Sequence, residues 1–118
     1  VYVNADEIKI SQVVYNLINN AVNYTGDDKV IKVNQILKNG IVRIEVIDTG
    51  SGIDPQKINY IWDRYYKIDK THKRAIIGTG IGLSIVKSIL EMHDANYGVI
   101  NNLDHGSTFW FELKTITF

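Results

Sequence analysis

Gly78-Thr-Gly-Ile-Gly-Leu-Ser-Ile-Val-Lys87 sets three alternating glycines at the head of an apolar run. Glycines here let the backbone come close to a ligand. The first N–H groups of a following helix lack internal partners, and its dipole favours an anion. A phosphate at this point is therefore physically reasonable, and three nucleotide-binding designs use glycines this way. Two of them fail on single residues. A P-loop needs a lysine before its serine or threonine, whereas Gly82 is followed by Leu83 and Ser84. A dinucleotide fingerprint needs a glycine at position 83 and a strand before Gly78. Leu83 stands at the first position, and a basic, aperiodic stretch stands at the second. The fold then depends on the order of elements around this stretch.

Residues 1–3 read as a short strand. Asn4 and Asp6 can cap a helix that begins after them. Residues 6–23 are helical in pattern, with Ile10, Val13, Val14, Leu17 and Ala21 on one face. Gly26, Asp27 and Asp28 end that helix. Residues 29–37 alternate in part and carry β-branched side chains. Lys38, Asn39 and Gly40 form a hairpin signal, and residues 41–47 (IVRIEVI) should pair antiparallel with the strand before them. A loop spans 48–52. Pro55, the only proline, suits the first turn of a short helix running to about Trp62. Residues 67–77 are polar and aperiodic. Residues 81–92 are helical, with Ile85, Val86, Ile89 and Leu90 as the apolar stripe. Residues 96–102 and 107–116 are two more strands, joined by a turn at 104–106. This order predicts an α+β two-layer sandwich: a mixed, mostly antiparallel sheet of about five strands with three helices on one face. A parallel doubly wound sheet would need strand and helix to alternate throughout.

A length of 118 residues fits one domain, 1–118, and suffices for a real core. The hydrophobic fraction of 45% and the mixed charges read as a soluble globular protein. With no cysteine, a disulfide framework and a thiolate zinc site are both excluded; a reducing cytoplasm is compatible. No apolar run approaches the roughly 18 residues of a membrane span. The chain opens directly on a strand-like triplet, which suggests a piece of something longer. Thirteen basic and 13 acidic residues cancel, so no global field argues for nucleic acid. Locally, Arg64, Lys67, Lys70, Lys73 and Arg74 face one acid, Asp69. Such a run is either a solvated loop or a cationic flap over an anionic ligand.

Asn16, Asn20 and Asn23 fall within a narrow arc of the first helix, away from its apolar stripe, with Gln12 and Asn19 extending it. Asparagine is a poor helix former. The arc is either a solvated face or a place where a carboxamide oxygen ligates a hard cation such as magnesium. Asp48 ends a strand and is followed by Thr49, Gly50, Ser51, Gly52 and Ile53. That pattern makes a turn. At the end of a buried strand the carboxylate can also accept from an exocyclic amine, as adenine carries. Guanine places a carbonyl there and would leave two acceptors facing each other.

Taken in order, these motifs resemble the ATP-binding domain of sensor histidine kinases, part of the group that shares its fold with gyrase B, Hsp90 and MutL. Residues 6–25 (DEIKISQVVYNLINNAVNYT) resemble the N box, 48–53 (DTGSGI) the G1 box, 61–66 (IWDRYY) the F box and 78–83 (GTGIGL) the G2 box. Gly106, Ser107 and Thr108 followed by FWFEL resemble the closing strand. The resemblance covers nearly the whole chain and implies the Bergerat ATP-binding fold. It implies that Asn20 ligates magnesium, with Asn16 as the polar residue one turn earlier and Tyr24 as the aromatic near the nucleotide. It implies that Asp48 reads adenine, helped through water by Thr108, and that Gly50 and Gly52 line the adenine end. Gly78, Gly80 and Gly82 become the hinge and phosphate-facing end of an ATP lid, approached by the basic run. The implied ATP-contacting set also takes in Asn23, Ile53, Arg64, Tyr65, Lys67, Thr79, Ile81 and Leu83.

Three departures stand out. Asn23 replaces a usual lysine or arginine that contacts phosphate, so compensation is expected from Arg64, Lys67, Lys70 or Lys73. Trp62 and Tyr65 keep the F box aromatic where phenylalanine is common. Asp94 and Ala95 replace a glycine pair after His93. Gyrase-like relatives place a glutamate at the position of Asn16 to activate water, and a carboxamide cannot serve as that base. The chain should therefore protect Mg–ATP until a protein nucleophile arrives. In the family that nucleophile is a histidine on a separate dimerising helix hairpin. His72, His93 and His105 lie in no matching context, so the phosphoacceptor is expected outside this chain, with a response regulator receiver domain downstream. The parent is expected to be a membrane-anchored sensor whose ATP-binding domain is cytoplasmic and touches neither membrane nor nucleic acid. Two other readings stay open: a free-standing anti-sigma-factor-type serine kinase, and a degenerate module that binds partners without nucleotide.

Overall fold

The computed structural model describes residues 2–56, 58–63, 82–102 and 106–116. The elements run β1 (Tyr2–Val3), α1 (Glu7–Tyr24), β2 (Ile31–Lys38), β3 (Ile41–Asp48), α2 (Gly82–Met92), β4 (Asn96–Asn101) and β5 (Ser107–Ile116). The sheet's pairing starts at its turns. Asn39 and Gly40 both take positive φ, 53° and 77°. This is the backbone that a two-residue hairpin needs to match strand twist, and it sets Lys38 opposite Ile41. β5 then pairs with β3 on one side, Ile47 opposite Thr108 and Ile41 opposite Lys114. Its other edge is shared by β4, along 107–112, and by β1 at Thr115 and Ile116. All these ladders are antiparallel. The sheet expected to be mixed is thus purely antiparallel among the described residues, because hairpins and a return strand make every pairing.

Both helices lie on one face. α1 starts where the Asp6 carboxylate accepts from the Lys9 N–H at 3.1 Å. It buries Val13, Leu17 and Ala21; α2 buries Val86, Ile89 and Leu90. These meet Val42 and Val46 of β3 and Phe109, Phe111 and Leu113 of β5 in one core. Alternation decides which strand residues take part, since every second side chain points to the helices. On the opposite face Arg43 bonds Glu45 and Glu112 and lies 4.1 Å over the Trp110 ring. Burial would lower its pKa, but those two glutamates outweigh it and hold the guanidinium above its usual range.

The expected helix near residues 55–62 does not form, so the described helices number two. The described residues there are turns. Asp54 accepts from the Gln56 N–H at 2.9 Å, an Asx-type turn that competes with a helical start. The segment keeps its anchoring role: Ile61 is in the core, and Trp62 packs edge-on against Tyr97 and Phe109 at 5.1 and 5.6 Å. Aromatic packing holds this backbone without a helix. Among the described residues no helix is long and apolar enough to cross a membrane.

Candidate functional site

The antiparallel register brings the end of β3 to the start of β5. Ile47 lies opposite Thr108, so one further step sets Asp48 beside Ser107. Asp48 is 1% exposed. One carboxylate oxygen accepts from the Gly50 N–H at 2.9 Å, and the other accepts from the Ser107 hydroxyl at 2.8 Å. A carboxylate offers about four acceptor positions, so acceptor capacity remains beyond these two donors.

Thr108 is expected to assist Asp48 through water; the hydroxyl that touches the carboxylate directly is that of Ser107. The pleat explains the difference. Residues directly opposite share a face, so Thr108 goes with Ile47 while Ser107 goes with Asp48. The Thr108 hydroxyl donates to the Asn102 carboxamide at 3.0 Å. Strand parity is the signal in the sequence that points to Ser107.

Two glycines hold the loops around this carboxylate. A Cβ at Gly50 would collide with the Tyr24 carbonyl oxygen at the end of α1. A Cβ at Gly106 would collide with the Asp48 carbonyl oxygen, and its φ of +82° already favours glycine. Hydroxyls tie the same loops: Thr25 and Thr49 share a bond of 3.2 Å, and Thr49 donates to Asp28. Gly52 takes φ +78°. Ile53 is buried in the core, and both its backbone groups bond the Asn101 side chain. Asn101 is a site residue that sequence reasoning misses, since no local pattern marks it.

α1 brings its asparagines toward this region. Tyr24 is its last residue and half-buried. Asn20 and Asn16 stand one and two turns earlier, and both are half-buried, as is Asn23. His93, just past α2, accepts from the Asp6 N–H at the start of α1 at 3.0 Å. The helices pack together over the sheet. Gly82 is the first residue of α2. Leu83 packs against the core just after it. Arg64, Tyr65, Lys67, Gly78, Thr79, Gly80 and Ile81 lie outside the described residues, as do Lys70, Lys73 and Arg74. Among the described residues no three His, Asp or Glu side chains gather as a metal site. What this end of α1 offers a cation is carboxamide oxygen.

The family model described as Histidine kinase-, DNA gyrase B-, and HSP90-like ATPase matches residues 5–117. The sensor protein SrrB of Staphylococcus aureus is 39% identical over 110 residues, covering 92% of this chain and 18% of SrrB. Among solved structures, the catalytic domain of the histidine kinase ThkA is similar at a TM-score of 0.80 and 31% identity, over 96% of this chain and 70% of that one. Full-length ShkA in complex with AMPPNP is similar at a TM-score of 0.78 and 28% identity, over 98% of this chain and 24% of that one. The chain spans 13% to 18% of the length of the curated relatives it matches.

Proposed function

Because the chain belongs to the histidine kinase-, DNA gyrase B- and HSP90-like ATPase family, we propose that it binds Mg–ATP and donates the γ-phosphate to a histidine. That histidine would sit on a separate dimerising domain of the same sensor kinase, which in turn signals to a response regulator receiver domain. Asp48 carries the proposal. A buried carboxylate, oriented by the Gly50 N–H and the Ser107 hydroxyl, is suited to accept from the exocyclic amine of adenine. Gly50, Gly52 and Ile53 would line the base, with Tyr24 beside it. ShkA, a relative of similar fold, was solved with an ATP analogue, which supports the ligand class.

A carboxamide on α1 fits a magnesium ion, which takes oxygen ligands and keeps several waters. Asn20 would hold the ion with phosphate oxygens and water, and the ion would neutralise phosphate charge. Asn16 stands one turn away and has no group able to take a proton from water, so ATP would wait for its acceptor. Gly82 and the glycines before it would let backbone approach the phosphates. Arg64, Lys67, Lys70 or Lys73 would supply the cation that Asn23 does not. The parent would be a membrane-anchored sensor with this domain on the cytoplasmic side.

Calorimetry with Mg–ATP tests the reading. The wild-type domain should bind. Asp48→Asn should bind at least about 100-fold more weakly, as expected for losing a bond to a charged acceptor and facing a donor to a donor, with an unchanged circular-dichroism spectrum. Equal affinity in the variant would contradict the adenine-reading role. Mixing the domain with its separately expressed helix hairpin should then yield acid-labile phosphohistidine; phosphoserine on another protein would favour the anti-sigma-factor-type kinase.

A further inference from the structure

We infer that Asn101 is a positioning residue for the base-reading loop, holding Ile53 so that Asp48 and the glycines after it keep one conformation; the role rests on the nucleotide reading above. Asn101 is the last residue of β4 and is half-buried. Its carboxamide oxygen accepts from the Ile53 N–H at 2.8 Å, and its carboxamide nitrogen donates to the Ile53 carbonyl at 2.6 Å. One side chain thus supplies the donor and acceptor that a neighbouring strand would supply, to a residue that belongs to no strand or helix.

The loop from 48 to 53 is held at two ends. At the first, Asp48 binds the Gly50 N–H and the Ser107 hydroxyl. At the second, the Ile53 side chain is buried and its backbone is gripped by Asn101. Asn102 continues the arrangement: its N–H donates to the Gly106 carbonyl at 3.1 Å, and its side chain accepts from Thr108. Consecutive residues at and just past the end of β4 therefore hold both loops that converge on Asp48. Without the clamp, the buried Ile53 groups would seek other partners and the loop would drift away from Asp48.

The test uses Asn101→Ala, Asn101→Asp and a control, Leu113→Ala, which opens the core on β5 away from the loop. Calorimetry gives the affinities for Mg–ATP and Mg–GTP, and hydrogen exchange follows the Ile53 amide. Asn101→Ala should weaken ATP by about tenfold or more, the loss of one well-made bonded pair, and should lower the ATP-to-GTP preference. The Ile53 amide should exchange faster. Asn101→Asp, which keeps the acceptor and loses the donor, should fall between. Leu113→Ala should lower the melting temperature and keep the nucleotide preference. A folded Asn101→Ala protein with wild-type affinity and preference overturns the inference, as does an equal loss of preference in Leu113→Ala. Wild-type protein that binds no ATP overturns the nucleotide reading instead, and unchanged Ile53 exchange in Asn101→Ala overturns the clamp whatever the ligand.

Discussion

Asp94 holds a left-handed backbone, φ 53°, at the end of α2. The Ala95 N–H returns to the Leu90 carbonyl at 2.9 Å, and the Asp94 N–H to the Glu91 carbonyl at 3.1 Å. This is the Schellman closure, whose left-handed position is usually glycine. A side chain there costs roughly 1 kcal/mol. Asp94→Gly should raise stability by up to about 0.5 kcal/mol, after the added freedom of the unfolded chain is subtracted. Urea denaturation measures it, and a loss of stability would show that the Asp94 side chain makes its own compensating contact. Gly50 presents the opposite case, because any Cβ there meets the Tyr24 carbonyl. The glycines after Asp48 are legible in the sequence as a loop that approaches something closely. At Gly50 the thing approached is the end of α1, a contact between distant segments that no local pattern announces.

His93 adds a bond between the ends of the two packed helices. The His93 Nε2 accepts from the Asp6 N–H at 3.0 Å, and its Nδ1 lies 2.8 Å from the Ile89 carbonyl oxygen. These roles need the neutral ring protonated on Nδ1. The bond ties the end of α2 to the start of α1. His93→Ala should cost about 0.5–1.5 kcal/mol, because the Asp6 N–H loses its acceptor and a half-buried ring is removed. Hydrogen exchange at Asp6 should rise with it; an unchanged unfolding free energy would mean that water replaces the ring without loss. The sequence marks His93 only as a helix-end residue. It makes α1 and α2 plain, because each is long enough for its periodicity to repeat. The segment near 55–62 offers a proline and a few apolar residues. Its backbone is instead decided by Asp54 on Gln56 and by Trp62 between Tyr97 and Phe109.

At the scale of the molecule, the proposed nucleotide end would have a carboxamide, not a carboxylate, at the position expected to activate water. On the proposed reading, Asn16 would stand where gyrase-like relatives carry glutamate. The isolated domain should therefore produce no ADP above background in a coupled assay; steady turnover would contradict this account of Asn16. The sequence by itself determined the alternation of β3, the hairpin at Asn39 and Gly40, the buried stripes of both helices, and Asp48 at the end of a strand. Those are local patterns, written in spacings of two to four residues. It also carried the ordered motifs that mark the family. Only the tertiary structure decided that Ser107 rather than Thr108 meets Asp48, that Asn101 grips Ile53, and that His93 joins the helices. Each of these pairs lies dozens of residues apart in sequence. Strand register and helix packing bring them together, and a bond between two side chains or backbones depends on that shared geometry rather than on either residue's neighbours.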